Sequence, residues 1–129
     1  METYFIKSGY QCNLTPQGER IEQYKTVPNN AIYQVACYEY AASLIKKNNW
    51  DNCVEFGSGS GYKLNKFIAP LAKRVIGIDL PYAVDYCKGR YPHIEWLFDD
   101  FDHPQAVLNE SFDLIFSFDV IEHLINPEA

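Results

Sequence analysis

The sequence predicts an α/β fold in which helices flank a doubly wound, mainly parallel sheet. Four short apolar runs recur along the chain at a steady interval. They contain too few polar residues for strands with one solvated face, which is typical of parallel strands covered on both sides. The intervals leave room for right-handed crossovers, and such folds bind ligands beyond the carboxyl ends of the strands, where the strand order reverses.

The composition indicates one globular domain and argues against several classes of protein. Of the 129 residues, 47% are hydrophobic and 22% are charged, which excludes a disordered or low-complexity chain. A net charge of −6 argues against nucleic acid held through its phosphates and favours a small neutral or cationic partner. The sequence shows neither an apolar run long enough for a membrane helix nor a signal-peptide pattern, so we expect a cytoplasmic protein without a membrane partner.

The chain divides into an irregular lead-in, predicted for residues 1–29, and one domain over residues 30–129. The domain begins with an amphipathic helix, for which Asn30 is the predicted N-cap and Lys46 and Lys47 lie near the C-terminus. Its apolar positions recur with helical spacing and are Ala31, Val35, Tyr38, Ala42 and Ile45.

The four cysteines contain no C-x-x-C pair. We expect Cys37, in the predicted helix, and Cys53, in the first apolar run, to be buried free thiols that behave as small apolar groups. The sequence therefore predicts neither a disulfide framework nor a zinc site.

The predicted strands and crossovers follow the first helix in alternation. The strands are residues 53–56, 74–78, 94–98 and 114–118. The first crossover carries a helical stripe that ends near Pro70, formed by Leu64, Phe67, Ile68 and Leu71. The second runs from Pro81 to Arg90 and is predicted to be a short helix closed by Gly89, whereas the polar third crossover predicts no firm helix.

A glycine-rich turn follows the first strand directly, in the string VEFGSGSG that ends at Gly61. Glycine allows positive φ at a strand-to-helix turn and lets a ligand approach the backbone, while free N–H groups at the helix start face it. Because an acid precedes the glycines and a strand and a helix flank them, we favour a binding loop over an ordinary Gly/Ser turn.

Acidic residues end the next two strands. Asp79 is placed to accept hydrogen bonds from both hydroxyls of a ribose, and a helix cap before Pro81 is the alternative. The acids after the third strand are suited to an exocyclic amine, and solvated loop positions are their alternative. These acids are Asp99, Asp100 and Asp102.

Four segments together resemble motifs I to IV of the class I, Rossmann-like S-adenosylmethionine-dependent methyltransferases. They are VEFGSGSG, VIGIDL, the acids after WLF, and SFDLIFSFDVIEHL. A tyrosine at position 62 and a third glycine at position 61 separate the loop from the dinucleotide fingerprint G-x-G-x-x-G. The resemblance implies S-adenosyl-L-methionine as cofactor and transfer of its methyl group to a small-molecule acceptor.

The resemblance also implies the cofactor-binding residues. Glu55 and the loop residues Gly57, Ser58, Gly59 and Gly61 hold the methionine moiety. Asp79, with Leu80 beside it, binds the ribose. Asp100, preceded by Asp99, binds the adenine amine. Phe101 lies beside the base and Asp119 lines the methyl-transfer pocket.

Methyl transfer is an in-line displacement that needs mainly positioning, and a base only when the acceptor must lose a proton. His123 is the candidate base, with a packing role as the alternative. We expect no metal; Asp119, Glu122 and His123 have the spacing of a divalent-ion site if that segment is helical, which is a weaker alternative.

In the family, further strands follow the fourth, so the resemblance predicts a domain truncated after that strand. A cofactor-binding or assembly module that is inactive alone is therefore the alternative function. The family's strand order also places residues 114–118 at an open sheet edge without charge. We expect two copies to pair through that edge as a homodimer.

Overall fold

The computed structural model describes residues 34–105, 110–121, 124 and 127–128. The bounds of the helices and strands, in chain order, are α1 Val35–Asn48, β1 Asn52–Phe56, a π-helical turn Leu64–Ile68, β2 Arg74–Asp79, α2 Pro81–Arg90, β3 Glu95–Phe98 and β4 Leu114–Phe116.

The strands form one parallel sheet in the order β3-β2-β1-β4. Val54 of β1 lies opposite Ile76 of β2 on one side and Ile115 of β4 on the other. The predicted parallel, Rossmann-like sheet is confirmed. Because β4 lies beside β1 rather than β3, the strand order reverses between β1 and β4, and in such folds that point marks a ligand crevice at the carboxyl ends.

Helix α1 packs its apolar face on the sheet, where Tyr38, Ala41, Ala42 and Ile45 are buried. The helix begins at Val35, after Gln34, which adopts a left-handed conformation with φ 61°. The predicted N-cap Asn30 lies outside the described residues.

The prediction of a buried Cys37 is wrong, because this thiol is exposed. Cys37 precedes the buried Tyr38 by one position, and one residue turns an α-helix by about 100°, away from the sheet. Cys53 is buried as predicted, and so is Cys87.

The core on the helical side of the sheet combines α1, the π-helical turn and α2. Trp96 of β3 is central to it and donates from its indole Nε1 to the carbonyl of Tyr91 at 2.8 Å. A Cβ at Gly61 would lie 2.7 Å from the Trp96 ring, and one at Gly77 would lie 2.3 Å from it. Both glycines therefore leave room for the indole.

The opposite side of the sheet has a smaller core of Val54, Ile76 and Ile78, covered by Phe56, Leu97, Phe101 and Phe112. Ile115 of β4 lies on this side and is 60% exposed. The prediction that both sides of each strand are covered is confirmed for β1 and β2 but is wrong for β3 and β4, which are the outer strands.

Two predicted boundaries are also wrong. Strand β4 ends at Phe116 rather than at residue 118, because Ser117 turns its hydroxyl onto the carbonyl of Phe56 at 2.9 Å. Gly89 does not close α2, which begins at Pro81 as predicted. The helix runs to Arg90 and is capped at Tyr91, whose N–H donates to Cys87 at 2.7 Å without a left-handed residue.

The connection between β1 and β2 agrees with the sequence in where its helical part ends. The π-helical turn ends at Ile68, and the N–H of Ala69 closes it on Leu64 at 3.0 Å, before Pro70. Between β3 and β4 the described residues form turns, and 106–109 lie outside them. In the described part of the chain, every helix is too short or too polar to cross a membrane.

Candidate functional site

The glycine loop lies at the carboxyl ends of β1 and β2. Gly57, Gly59 and Gly61 all have positive φ, of 80°, 56° and 72°. The N–H of Gly57 donates to the carbonyl of Ile78 at 2.8 Å, and that of Ser58 donates to the same oxygen at 3.3 Å. These bonds fix the loop to the end of β2 in a conformation that side chains disfavour.

Asp79 links the glycine loop to the start of α2. Its Oδ2 accepts the N–H of Gly59 at 2.6 Å, and its Oδ1 accepts the N–H of Leu80 at 2.7 Å. Leu80, rather than Asp79, occupies the N-cap position of α2. These two bonds use two of the roughly four acceptor positions of a carboxylate.

Glu55 is fully buried near the end of β1. Its Oε1 accepts a hydrogen bond from the hydroxyl of Tyr38, whereas its Oε2 has no partner among the described residues. Burial raises the pKa of Glu55 to about 8; the hydrogen bond from Tyr38 and the charge of Lys63 oppose that shift, and the charge of Asp79 adds to it. Within residues 34–105 and 110–121, a buried carboxyl oxygen beside the glycine loop thus lacks a hydrogen-bond partner.

Lys63 brings positive charge to this end of the sheet. Its Nζ lies 5.3 Å from the ring centroid of Tyr38 and donates to Oε1 of Gln34 at 3.3 Å. Burial lowers the pKa of Lys63, against the attraction of Glu55 and Asp119. Burial and the charge of Glu55 raise the pKa of Tyr38, so its hydroxyl keeps its proton.

Asp119 lies on the exposed turn after β4, in a left-handed conformation with φ 54°. Its Oδ2 accepts a hydrogen bond from Nε2 of Gln34. Gln34 therefore links Asp119, on the turn after β4, to Lys63, which follows the glycine loop. The link spans the point where the strand order reverses.

The acids after β3 organise a turn. Oδ1 of Asp99 accepts the N–H groups of Asp100 at 3.0 Å and Gln105 at 2.9 Å, and Oδ1 of Asp100 accepts that of Asp102 at 3.0 Å. Asp99 and Asp102 are buried and Asp100 is half-buried, so the alternative of solvated loop acids is wrong for the first two.

Phe101 approaches the end of β1 from the turn after β3. Its ring packs edge-on against Phe56 with 5.5 Å between ring centroids. The structure thereby brings the loop after β3 next to the loop after β1, as the sequence hypothesis for one cofactor site requires.

Two predicted residues, Glu122 and His123, lie outside the described residues. The catalytic base and the metal alternative stay predictions. Among the residues that the structure describes, no three His, Cys, Asp or Glu side chains are grouped to hold a metal ion. His93 and His103 are exposed.

Sequence reasoning missed the polar role of α1 in this site. Tyr38 fits the apolar stripe and is predicted only as a core position, and Lys63 and Gln34 belong to no motif. A signal existed for Tyr38, because a buried tyrosine hydroxyl usually needs a hydrogen-bond partner. Its partner could not be identified before α1 was placed on β1.

Comparisons with known proteins agree with this geometry. A family profile described as a methyltransferase domain matches residues 24–129. CalS10 of Micromonospora echinaspora, an amino pentose methyltransferase solved with S-adenosylmethionine, has 19% identity and a TM-score of 0.53 over 70% of this chain and 41% of its own.

Two further solved structures share the fold. A TehB-like S-adenosylmethionine-dependent methyltransferase of Corynebacterium glutamicum has 22% identity and a TM-score of 0.56, over 76% of this chain and 52% of its own. The N-methyltransferase NodS of Bradyrhizobium japonicum, solved with S-adenosyl-l-homocysteine, has 24% identity and a TM-score of 0.53, over 77% and 50%.

The chain thus spans about half the length of these solved structures, or less. No curated protein matches it at a significant level. The family profile covers most of the chain, and the parallel sheet and the glycine turn have the arrangement that the motif resemblance implied. The chain belongs to the class I S-adenosylmethionine-dependent methyltransferase family.

Proposed function

We propose that this protein binds S-adenosyl-L-methionine at the carboxyl ends of β1 and β2 and transfers its methyl group to a small-molecule acceptor in the cytoplasm. The observation that carries the proposal is the buried Oε2 of Glu55, which lies beside the glycine loop and has no partner in the part of the chain that the structure describes. Once the Glu55 carboxyl group releases its proton, an ammonium group supplies the donor that such an oxygen lacks, and the methionine moiety of the cofactor carries one.

The residues present fit the rest of the cofactor. The positive φ angles of the loop glycines let its backbone approach a ligand without a side chain in between. Asp79 adjoins the loop and is assigned the ribose hydroxyls, with Leu80 beside it, and Ser58 belongs to the loop that is assigned the methionine moiety. When bound, the cofactor supplies the electrophilic methyl group, and a site rich in carboxylates favours its sulfonium and ammonium charges.

The adenine end of the cofactor is assigned to the loop after β3. Asp100 is half-buried there, next to the buried Asp99 that shapes the turn, and is assigned the adenine amine. Phe101 presents an aromatic ring close to the end of β1 and is assigned the base itself. Stacking on such a ring suits any purine.

A small-molecule acceptor is supported by one relative. CalS10 is described as an amino pentose methyltransferase, and the present chain shares its fold. For an acceptor hydroxyl, we propose His123 as the base, because its ordinary pKa near ~6.5 suits proton abstraction at neutral pH. Asp119 then lines the methyl-transfer pocket between cofactor and acceptor.

The proposed activity is tested by release of S-adenosylhomocysteine with a panel of small amines and hydroxyl compounds. We expect turnover with at least one acceptor and none with the Gly59→Val variant. His123→Ala should slow transfer to a hydroxyl without weakening cofactor binding. Activity that survives a chelator would contradict a required ion at Asp119, Glu122 and His123.

A second candidate is a cofactor-binding or assembly module that needs another chain. It is favoured by one observation, namely that Ile115 of β4 is 60% exposed and offers apolar surface to another chain. Saturable cofactor binding without turnover on any acceptor would support this module, whereas turnover by the purified chain would exclude it.

The same candidate includes a homodimer through β4. Within the described residues, β4 pairs on one side with β1, and its Ile115 is 60% exposed. An apolar strand edge of this kind is a template for pairing with a second copy. We expect light scattering to show a dimer and Ile115→Lys to shift it toward monomer. Tyr40→Lys, on the exposed face of α1, should leave the dimer unchanged. A monomer with slow amide exchange at residues 114–118 would contradict the homodimer.

A further inference from the structure

The two oxygens of the Glu55 carboxyl group have different surroundings. Oε1 accepts the hydroxyl of Tyr38, and Oε2 is buried without a partner among the described residues. A buried carboxyl group that is loosely packed is free to rotate and would share its hydrogen-bond donors between both oxygens. The asymmetry therefore depends on a rigid donor at Oε1.

Tyr38 is such a donor because aromatic packing fixes its ring. The ring centroid lies 5.0 Å from that of Phe118, 6.1 Å from that of Phe116 and 6.2 Å from that of Phe67. The residue is only 3% exposed. These contacts come from β4, the turn after it and the π-helical turn, so three separate elements hold the hydroxyl in place.

We propose that Tyr38 is a positioning residue for the cofactor, which holds Oε1 of Glu55 so that Oε2 is presented to the ammonium group of the ligand. The proposal rests on the proposed function, in which Glu55 binds the methionine moiety. Tyr38 does not touch the cofactor in this arrangement and acts through Glu55.

Two other charged groups act on Glu55. Lys63 interacts electrostatically with Glu55, but its Nζ donates to Gln34 and lies over the Tyr38 ring. Asp79 bears a like charge and raises the pKa of Glu55. The Tyr38 hydroxyl donates to the carboxyl group, and its raised pKa keeps this hydroxyl protonated.

The proposal predicts an effect that depends on the ligand. S-adenosylhomocysteine carries the ammonium group, whereas 5′-methylthioadenosine has the same nucleoside without the amino acid. Calorimetric titration of Tyr38→Phe should show affinity for S-adenosylhomocysteine reduced by about 10-fold or more, since the lost bond orients a charged acceptor. Affinity for 5′-methylthioadenosine should stay unchanged.

Tyr40→Phe is the matched control, because Tyr40 lies on the same helix but is 67% exposed. It should leave both affinities unchanged. A double-mutant cycle then tests whether Tyr38 acts through Glu55: in the Glu55→Gln background, Tyr38→Phe should cause no further loss for S-adenosylhomocysteine. Thermal melts monitored by circular dichroism establish that each variant is folded.

The outcomes separate the inference from the proposed function. Equal losses for both ligands in Tyr38→Phe would indicate a merely structural role and would overturn the inference, as would unchanged binding of both. If the unmodified chain binds neither ligand, the proposed function itself fails. If Tyr38→Phe does not fold, Glu55→Gln is the second test. Weaker binding of S-adenosylhomocysteine alone by this variant supports the presentation of Oε2 to the ligand. Unchanged binding of S-adenosylhomocysteine overturns the inference.

Discussion

The two ends of the sheet use charged residues in opposite ways. At the amino ends of the strands, acids and bases meet at the surface, where Lys73 lies 2.9 Å from Asp51 and Arg74 pairs with Glu95 at 3.0 Å. Arg74 also pairs with Glu110 from the connection before β4. These groups balance one another in solvent, and exposed pairs of this kind contribute little to stability.

At the carboxyl ends, by contrast, several acids are buried, and Lys63 acts on Glu55 as a nearby positive charge. Glu55 is fully buried, Asp99 is 3% exposed, and the hydrogen bonds described for them come from a tyrosine and from backbone N–H groups. Asp79 likewise accepts backbone N–H groups of the glycine loop. Burial of acids costs free energy, and such burial is typical of functional sites.

Replacement of Gly59 should give the largest difference in ligand binding between the two ends of the sheet. Gly59→Val places a branched side chain at φ 56°, where strain costs about 1–3 kcal/mol, and in the path of the ligand. We expect binding of S-adenosylhomocysteine to be lost in calorimetry. Gly89→Ala is the control, since a Cβ there meets nothing within 4 Å, and binding by Gly59→Val at full strength would contradict the assignment.

The pH dependence of stability should identify the buried acid. The pKa of Glu55 rises from 4.5 to about 8 on folding, so the folded chain keeps a proton that the unfolded chain releases. The free energy of unfolding should therefore fall as pH rises from about 4.5 to 8, by at most about 1.4 kcal/mol per pH unit.

Urea unfolding at pH 5, 7 and 9 measures this effect. Glu55→Gln should remove the decline and be more stable than the unmodified chain at pH 9. Glu95→Gln, at the amino end, should keep the decline. An equal decline in Glu55→Gln would mean that another group takes up the proton.

Loss of Asp79 should be the next largest effect. Asp79→Ala removes two charge-assisted hydrogen bonds expected from the ribose, and affinity for the cofactor should fall by about 1.5–3 kcal/mol. Asp51→Ala removes an acid from the opposite end and should leave calorimetric affinity unchanged. Equal cofactor affinities of the two variants would contradict the distinction between the two ends of the sheet.

The smallest effect is expected at Asp113, just before β4. Its Oδ2 accepts the N–H groups of Asp51 at 2.8 Å and Asn52 at 2.9 Å, and these bonds lower the pKa of Asp113. Its contribution is thus present at neutral pH and lost as pH falls through the lowered pKa. Asp113→Ala should slightly lower the melting temperature at pH 7 and leave cofactor affinity unchanged; weakened binding would contradict it.

Local patterns determined which features could be predicted. Strand β2 and the start of α2 were predictable because an uninterrupted apolar run and Pro81 act within their own segments. The exposure of Cys37 and the early end of β4 depend on packing between distant segments, such as the bond from Ser117 to Phe56. For the same reason the bond from Tyr38 to Glu55 could not be predicted, although both residues could be placed on their elements.

The most direct test of cofactor binding at the carboxyl ends is calorimetric titration of the unmodified chain with S-adenosylmethionine, S-adenosylhomocysteine and NAD, each repeated with Asp79→Ala. We expect saturable micromolar binding of the first two ligands, weakened by the substitution, and no binding of NAD. A preference for NAD, or affinity for S-adenosylmethionine that Asp79→Ala leaves unchanged, would contradict the proposed site.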